Sequence, residues 1–355
     1  MLIKRTTRSG ANDLTSVYRP CTVDEVVGHD ANKKIIGNGL KAGTLPHLML
    51  FTGPAGCGKT TMARIVALGL NCESVESTTN EPCLACDSCI RIMSQNNLDV
   101  IEINVGQDGG KAAVAKVTEN LMFAPFDFKY KVLIFDEAHE LSKSAQDLLL
   151  KKIEDGFSHV YFIFCTNKPE KLGSAFISRT HIGNFHFDRL PADLMEKMLI
   201  NICEFEGIEY NYQAIKLIIE WTNGIPRDAI GVIKKVIDGG SWDEQDVKGL
   251  LGSLVDEEDA DIMAIGKAIS KGSFKEAIKV LKVLKKKNVP EEAIRIATAG
   301  FFTNKLKWSK SYEEGDRISL ILDEMTEPIL YTGKPAHHSL VNKIYKSTRV
   351  IKKGV

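Results

Sequence analysis

Leu48-Met49-Leu50-Phe51-Thr52-Gly53-Pro54-Ala55-Gly56-Cys57-Gly58-Lys59-Thr60-Thr61 runs from an apolar stretch through a glycine-spaced turn into a helical pattern. Residues 53–60 fit G-x-x-x-x-G-K-[ST], and they stand where that motif needs to stand, after a strand (His47–Thr52) and before a helix (Thr61–Leu70). Glycines let successive backbone N–H groups turn inward around phosphate oxygens, and the helix N-terminus adds a positive dipole end. Lys59 would then reach the β- and γ-phosphates and the Thr60 hydroxyl would ligate Mg²⁺. Gly53, Pro54, Ala55, Gly56, Cys57, Gly58 and Thr61 complete the expected nucleotide-binding set. The bland alternative, a chance glycine turn, does not account for both flanking elements.

Downstream, Lys131-Val132-Leu133-Ile134-Phe135-Asp136-Glu137-Ala138-His139 is an apolar strand that ends abruptly in two acids. A carboxylate at a strand's C-terminal end beside a phosphate loop can hold Mg²⁺, the role expected of Asp136. Glu137 can orient or deprotonate an attacking water. Taken alone, the pair could be a helix N-cap. A guanine-reading Asn-Lys-x-Asp segment is only partly echoed by Asn167-Lys168-Pro169-Glu170, so ATP is expected rather than GTP.

The same strand signal recurs at Asp99–Asn104, Val160–Thr166 and Gly183–Phe187. Each segment is short and mostly apolar, and wide spacing separates it from the next, which predicts crossovers and a parallel sheet covered on both faces: an α/β fold. From Pro191 to about Gly240 helical periodicity takes over. Leu194, Met198, Ile200 and Ile202 form one run, and Ile215, Ile218, Ile219 and Trp221 another, so a small helical lid is expected. Ser241 to Asp261 is strongly acidic and marks a junction. Beyond it, Phe274, Ala277, Ile278, Leu281 and Leu284 repeat at helical spacing, with lysines opposite through Lys285, Lys286 and Lys287; a solvated face is the ordinary reading of those lysines.

Cys72, Cys83, Cys86 and Cys89 make two overlapping C-x-x-C steps plus a fourth thiol. Four thiolates are what a closed structural zinc site takes, and a closed site has no open position for catalysis. An iron–sulfur cluster also takes four cysteines, and disulfides or free thiols are the remaining alternatives. The other cysteines (Cys21, Cys57, Cys165 and Cys203) are scattered and read as reduced thiols or small core residues.

Composition sets the outer bounds. The 355 residues suggest two to three domains at about 150 residues each. Apolar residues at 44% and charged residues at 26% argue against wholesale disorder. Lys+Arg and Asp+Glu both number 46, which excludes a uniformly basic nucleic-acid coat but leaves room for a local basic surface. The apolar runs are too short to span a bilayer, and Met1 to Asp13 is polar without an apolar core, so a cytoplasmic protein without membrane partners is expected.

On these residues the chain resembles the AAA+ clamp loader ATPases, most closely the gamma/tau branch of the bacterial DNA polymerase III subunits. The resemblance runs from Val17 to Ile230. It is carried by Tyr18-Arg19-Pro20, Val26-Val27-Gly28-His29, the phosphate loop, Gly69-Leu70-Asn71-Cys72-Glu73, the cysteine cluster and Ile101-Glu102-Ile103. It continues through Ala124-Pro125, Asp136-Glu137-Ala138-His139, Ile177-Ser178-Arg179 and Gly224-Ile225-Pro226-Arg227-Asp228-Ala229. The resemblance implies an AAA+ nucleotide-binding domain over 1–187 with a zinc insertion at about 72–90. A helical lid over 188–241 and an all-α collar over 242–355 would follow. It also implies that Tyr18, Arg19, Pro20 and Val27 line the adenine side. Asn167 would be sensor 1, Arg179 an arginine finger reaching a neighbouring subunit's ATP, and Arg227 sensor 2 in the lid.

The chain departs from the family pattern in several places. Ser178-Arg179-Thr180 stands for the family's Ser-Arg-Cys, and Glu154-Asp155-Gly156-Phe157 replaces its paired prolines. The stretch Val105-Gly106-Gln107-Asp108-Gly109-Gly110-Lys111 has one positive charge where the family is basic. Lys111 and Lys143 are the expected DNA phosphate contacts, sequence-blind and salt-sensitive. The chain stops at Val355 without tau's long tail, and a compact version is expected, either a short bacterial form or one encoded by a phage or other mobile element. Implied cofactors are ATP, Mg²⁺ and Zn²⁺; implied partners are other loader subunits in a ring, a sliding clamp and primer–template DNA. The rival readings are a non-hydrolysing loader subunit of the delta-prime kind, another AAA+ motor such as a branch-migration helicase, and a zinc-dependent DNA-binding regulator.

Overall fold

The computed structural model describes residues 13–74, 81–108, 111–253, 260–286, 289, 291–307, 311–326 and 340–353. Part of the acidic junction, together with Gly109, Gly110 and Lys287, lies outside the described residues. Chain contacts divide the protein into two units, one comprising Met1–Leu194 with Ile225–Arg227, the other Met195–Gly224 with Asp228–Val355.

The first unit is built on a five-stranded sheet: β1 (Leu48–Thr52), β2 (Val100–Asn104), β3 (Lys131–Asp136), β4 (Val160–Thr166) and β5 (Asn184–His186), in the order β2-β3-β4-β1-β5. Every pairing is parallel, as the wide spacing of apolar segments predicts. Side chains alternate across each strand. Met49 and Phe51 of β1 pack with Met62, Ile65 and Val66 of the helix Lys59–Asn71 on one face. Leu50 packs on the other with Leu133, Phe135, Phe164 and Leu149. Both faces are covered, which is why the strands read as continuous apolar runs.

β3 and β4 keep the predicted ends. The other three are shorter by a residue at one or both ends, because the flanking residues contribute single ladder bonds. The His47 carbonyl accepts from Phe162 N–H at 2.7 Å, and the Asp99 carbonyl accepts from Val132 N–H at 2.8 Å. At the centre, Phe135 pairs in register with Phe164, their rings stacked with centroids 4.8 Å apart, and Phe176 meets Phe164 edge-on at 4.6 Å.

Among its described residues the second unit has helices as its only regular elements. The helix Ala192–Phe205 buries Met195, Met198, Leu199 and Ile202, a face one residue offset from the expected run that began at Leu194. The helix Tyr212–Thr222 buries Ile215, Ile218 and Ile219 as expected. It packs on the helices Glu244–Ser253 and Glu291–Lys307, so the acidic junction continues into helix. A core of Ile265, Ile269, Leu281, Leu284, Ile294, Phe302, Ile318, Ile321 and Ile344 joins the C-terminal helices, and Trp221 packs against it. Among the described residues no helix is long and apolar enough to cross a membrane.

Candidate functional site: a phosphate loop and a cysteine cluster

β1 ends at Thr52, and the chain turns at once into the phosphate loop. Gly53 adopts φ +132°, and a Cβ there would lie 1.9 Å from the Phe187 carbonyl oxygen, so only glycine fits. Gly58 caps the helix Lys59–Asn71 at φ 98°, also left-handed. The helix begins at Lys59, two residues before the predicted start, and its first turn points its free N–H groups toward the loop.

Lys59 is buried and folded back on its own loop. Its Nζ donates to the Gly53 carbonyl at 2.9 Å and the Pro54 carbonyl at 2.7 Å. Burial pushes its ammonium below the ordinary lysine range, opposed by the surrounding Cys165, Cys57, Asp136 and Glu137. Thr60 Oγ1 donates to Asp136 Oδ2 at 2.8 Å, joining the loop to the acidic end of β3. Asp136 Oδ1 accepts from the Glu137 N–H at 2.9 Å. Glu137 adopts a left-handed φ of 54°, which turns its side chain out of the strand, leaving its carboxylate partly exposed. On the neighbouring strand, Asn167 follows β4, and its Oδ1 is buried without a hydrogen-bond partner.

These contacts suit a magnesium nucleotide. An ammonium held on carbonyls can move to phosphate oxygens, a hydroxyl and a carboxylate at hydrogen-bond distance can share one divalent cation, and an unsatisfied buried amide oxygen awaits a donor. Arg227 is brought to the same loop. Its N–H donates to the Gly56 carbonyl at 3.5 Å, and a Cβ on Gly56 would sit 3.2 Å from the Arg227 Cβ. Gly28-His29 lies beside Phe187, whose ring is 5.0 Å from that of His29. Tyr18 is buried, while Arg19 and Pro20 line a cleft of about 260 Å³ with Arg64, Met93 and Glu102. Val27 is half-buried.

Arg179 closes the short helix Ser174–Arg179 at the surface, paired with Glu154 and donating to the Ala175 carbonyl at 3.2 Å. Lys111 and Lys143 are exposed first residues of their helices, Lys111–Thr118 and Lys143–Glu154, which pack together.

Two features escaped the sequence reading. His139 is buried with Nε2 3.4 Å from Glu137 and 3.2 Å from Glu140, and its Nδ1 lies 3.3 Å from Thr166 Oγ1. Burial lowers its pKa against the pull of the two glutamates. It thereby links Glu137 to the strand that leads to Asn167. The second is Glu154, the first residue of the stretch that stands in place of the family's paired prolines, which holds the Arg179 guanidinium.

The four clustered cysteines do come together. Their sulfur atoms all lie within 4.8 Å of one another, and four sulfurs around zinc at about 2.3 Å would stand about 3.8 Å apart. Cys83 N–H donates to Cys72 Sγ and Cys86 N–H to Cys83 Sγ, each at 3.3 Å, bonds that favour thiolates. Burial raises the Cys83 thiol, but N–H donors from Ala85 and Cys86 and the neighbouring thiols outweigh it and bring it down to about 7. Burial pushes Cys89 far up. All eight cysteines are free thiols, and the donor set fits a tetrahedral thiophilic metal better than a disulfide.

The sequence profile of a family described as "DNA polymerase III, delta subunit" matches residues 28–189. The DNA polymerase III subunit gamma/tau of Mycobacterium tuberculosis is 36% identical over 226 residues, 63% of this chain and 38% of the relative. The subunit tau of Escherichia coli is 33% identical over 247 residues, 69% of this chain and 38% of the relative. The subunit gamma of Buchnera aphidicola is 31% identical over 249 residues, 69% of this chain and 66% of the relative. The chain thus spans 38% of the length of the first curated relatives it matches. Among solved structures, the RuvB Holliday junction branch migration motor of Thermotoga maritima aligns with a TM-score of 0.50 at 22% identity, covering 71% of this chain and 78% of that one. That likeness concerns the fold alone.

Proposed function

The chain belongs to the AAA+ family of the DNA polymerase III gamma/tau subunits, and from that premise we propose that it is an ATP-driven motor subunit of a DNA clamp loader. The observation that carries the reading is the Thr60–Asp136 hydrogen bond at 2.8 Å, which joins the phosphate loop to the acidic strand end beside the unsatisfied Asn167 amide. Lys59 would leave the Gly53 and Pro54 carbonyls for phosphate oxygens, while Thr60 and Asp136 would hold Mg²⁺. When bound, the cation would supply positive charge that offsets the negative charge of the phosphates.

Glu137 would take a proton from water as the water oxygen bonds to the γ-phosphorus. The bond to the β-phosphate bridging oxygen breaks, releasing ADP and phosphate. Asn167 would orient that water and Arg227 would contact the same subunit's phosphates. Arg179, free of Glu154, would reach a neighbour's ATP, so hydrolysis would depend on assembly. Such a finger is worth roughly 10³–10⁵ in rate in well-studied cases. ATP binding would favour a state that opens a sliding clamp and grips primer–template DNA, and hydrolysis would release the clamp closed on DNA. The Cys72–Cys89 cluster would hold a structural Zn²⁺ that pins the insertion. The second unit would comprise lid (188–241) and ring-forming collar (242–355), and the setting would be cytoplasmic.

One observation favours a second reading. The matching profile is described by a delta subunit, and a non-hydrolysing loader subunit would share the fold. The intact Lys59, Thr60, Asp136 and Glu137 argue for hydrolysis. Steady-state ATP turnover, measured with partner subunits, sliding clamp and primed DNA added in turn, separates the two. Stimulation that Lys59→Ala abolishes supports the motor. Unchanged turnover in Lys59→Ala assemblies assigns the chain a structural part.

A further inference from the structure

Residues 267–287 carry eight lysines and a single acid, Glu276, in a chain whose net charge is zero. All seven of those lysines that are described are exposed, and among the described residues only Lys285 has an ion-pair partner, Glu291. Lys275, Lys279, Lys282 and Lys286 recur at i, i+4, i+7 and i+11 of the helix Phe274–Lys286, which puts them in one stripe about 17 Å long. The opposite face, with Ala277, Leu281 and Leu284, is buried in the core of the second unit.

We propose that this stripe is a sequence-blind binding site for the sugar–phosphate backbone of duplex DNA, separate from the nucleotide-coupled contacts expected at Lys111 and Lys143. Like charges at i, i+3 and i+4 destabilise a helix, so an unpaired row is a cost that a solvated face does not require. Lysines are point charges that contact phosphate without reading bases. A row about 17 Å long faces many backbone charges, since a duplex carries one per about 1.7 Å of axis. The basic surface also extends sideways, because Arg349 of the helix Leu340–Lys353 is exposed over Tyr345, whose ring meets that of Phe274 at 5.4 Å. An anionic membrane is the poorer partner: insertion needs a free apolar face, and this helix has spent its own on the core.

The test titrates the full chain against a blunt DNA duplex of arbitrary sequence, without ATP, across a salt series. A variant with Lys275→Gln, Lys279→Gln and Lys282→Gln is compared with a charge-matched variant of three exposed lysines elsewhere in the same unit, Lys197→Gln, Lys216→Gln and Lys235→Gln. The stripe variant is expected to bind at least about tenfold more weakly at moderate salt. Its log–log salt slope should be shallower by about 2.7, three contacts at about 0.9 each. Its melting temperature should equal or exceed that of the wild type, since repulsion is relieved; if it fails to fold, Lys279→Glu alone is read in the same titration. Unchanged affinity and slope would overturn the proposal. So would an equal loss in the matched variant, or binding of anionic vesicles without binding of the duplex.

Discussion

Glu137 shows how a single residue's backbone decides its chemistry. Its left-handed φ of 54° follows directly after Asp136, whose Oδ1 accepts its N–H, and in the proposed mechanism Asp136 would take the cation and Glu137 the water. Glu137→Gln is therefore expected to lower ATP turnover by about 10²–10⁴ while nucleotide binding, measured by equilibrium titration, survives. Two acids after an apolar strand were legible in the sequence, but the His139 contact was not, because it is made by side-chain packing across β3 and β4 rather than by spacing. A second residue-scale prediction concerns His29. Burial, opposed by the Cys57 backbone and the Asp188 and Asp30 carboxylates, lowers its pKa in the folded chain. The unfolded chain takes up that proton near its ordinary pKa of about 6.5 while the folded one does not, so stability is unaffected above that pH and falls as the pH drops through it. Asn tolerates the left-handed φ of 55° at this position. His29→Asn should accordingly flatten the acid side of the urea-midpoint profile; an identical profile would remove His29 from the account.

At the scale of elements, the sheet was readable because each buried strand is a short apolar run and the glycine-spaced turn fixes which strand comes first. The strand order and the stacking of Phe135 on Phe164 were not, since register is set by tertiary contacts between segments far apart in sequence. Phe164 touches rings from β3 and from the helix Ser174–Arg179, so Phe164→Ala is expected to cost about 3–5 kcal/mol in chemical denaturation. The cysteine insertion makes a different prediction. With Cys83 at about 7 and Cys72 and Cys89 raised, metal must displace protons to bind. Zinc affinity should weaken as pH falls and more steeply below about 7, where Cys83 too must lose its proton. Competitive chelator titration at several pH values reads this directly; a pH-independent affinity would exclude thiolate ligation.

Across the whole molecule, the boundary between sheet and helices was legible from the change in hydrophobic period after Pro191. The packing of the helix Tyr212–Thr222 with the C-terminal helices was not, because nothing in a helical period names its partner. Ile225–Arg227 returns to the first unit and sets Arg227 against Gly56, a contact that spacing could not reveal and the family resemblance only implied. Arg179 faces outward, paired with Glu154 in its own chain, and no group of the described phosphate site lies against it. That arrangement suits an arginine that works on a neighbouring subunit. The most direct test is DNA-stimulated ATP turnover by rings assembled from Arg179→Ala chains mixed with Glu137→Gln chains, each variant being inactive by itself. Mixing should restore turnover, because the intact ATP site of an Arg179→Ala chain then meets the Arg179 of a Glu137→Gln neighbour. Mixed rings as inactive as either variant alone would contradict action across the subunit boundary.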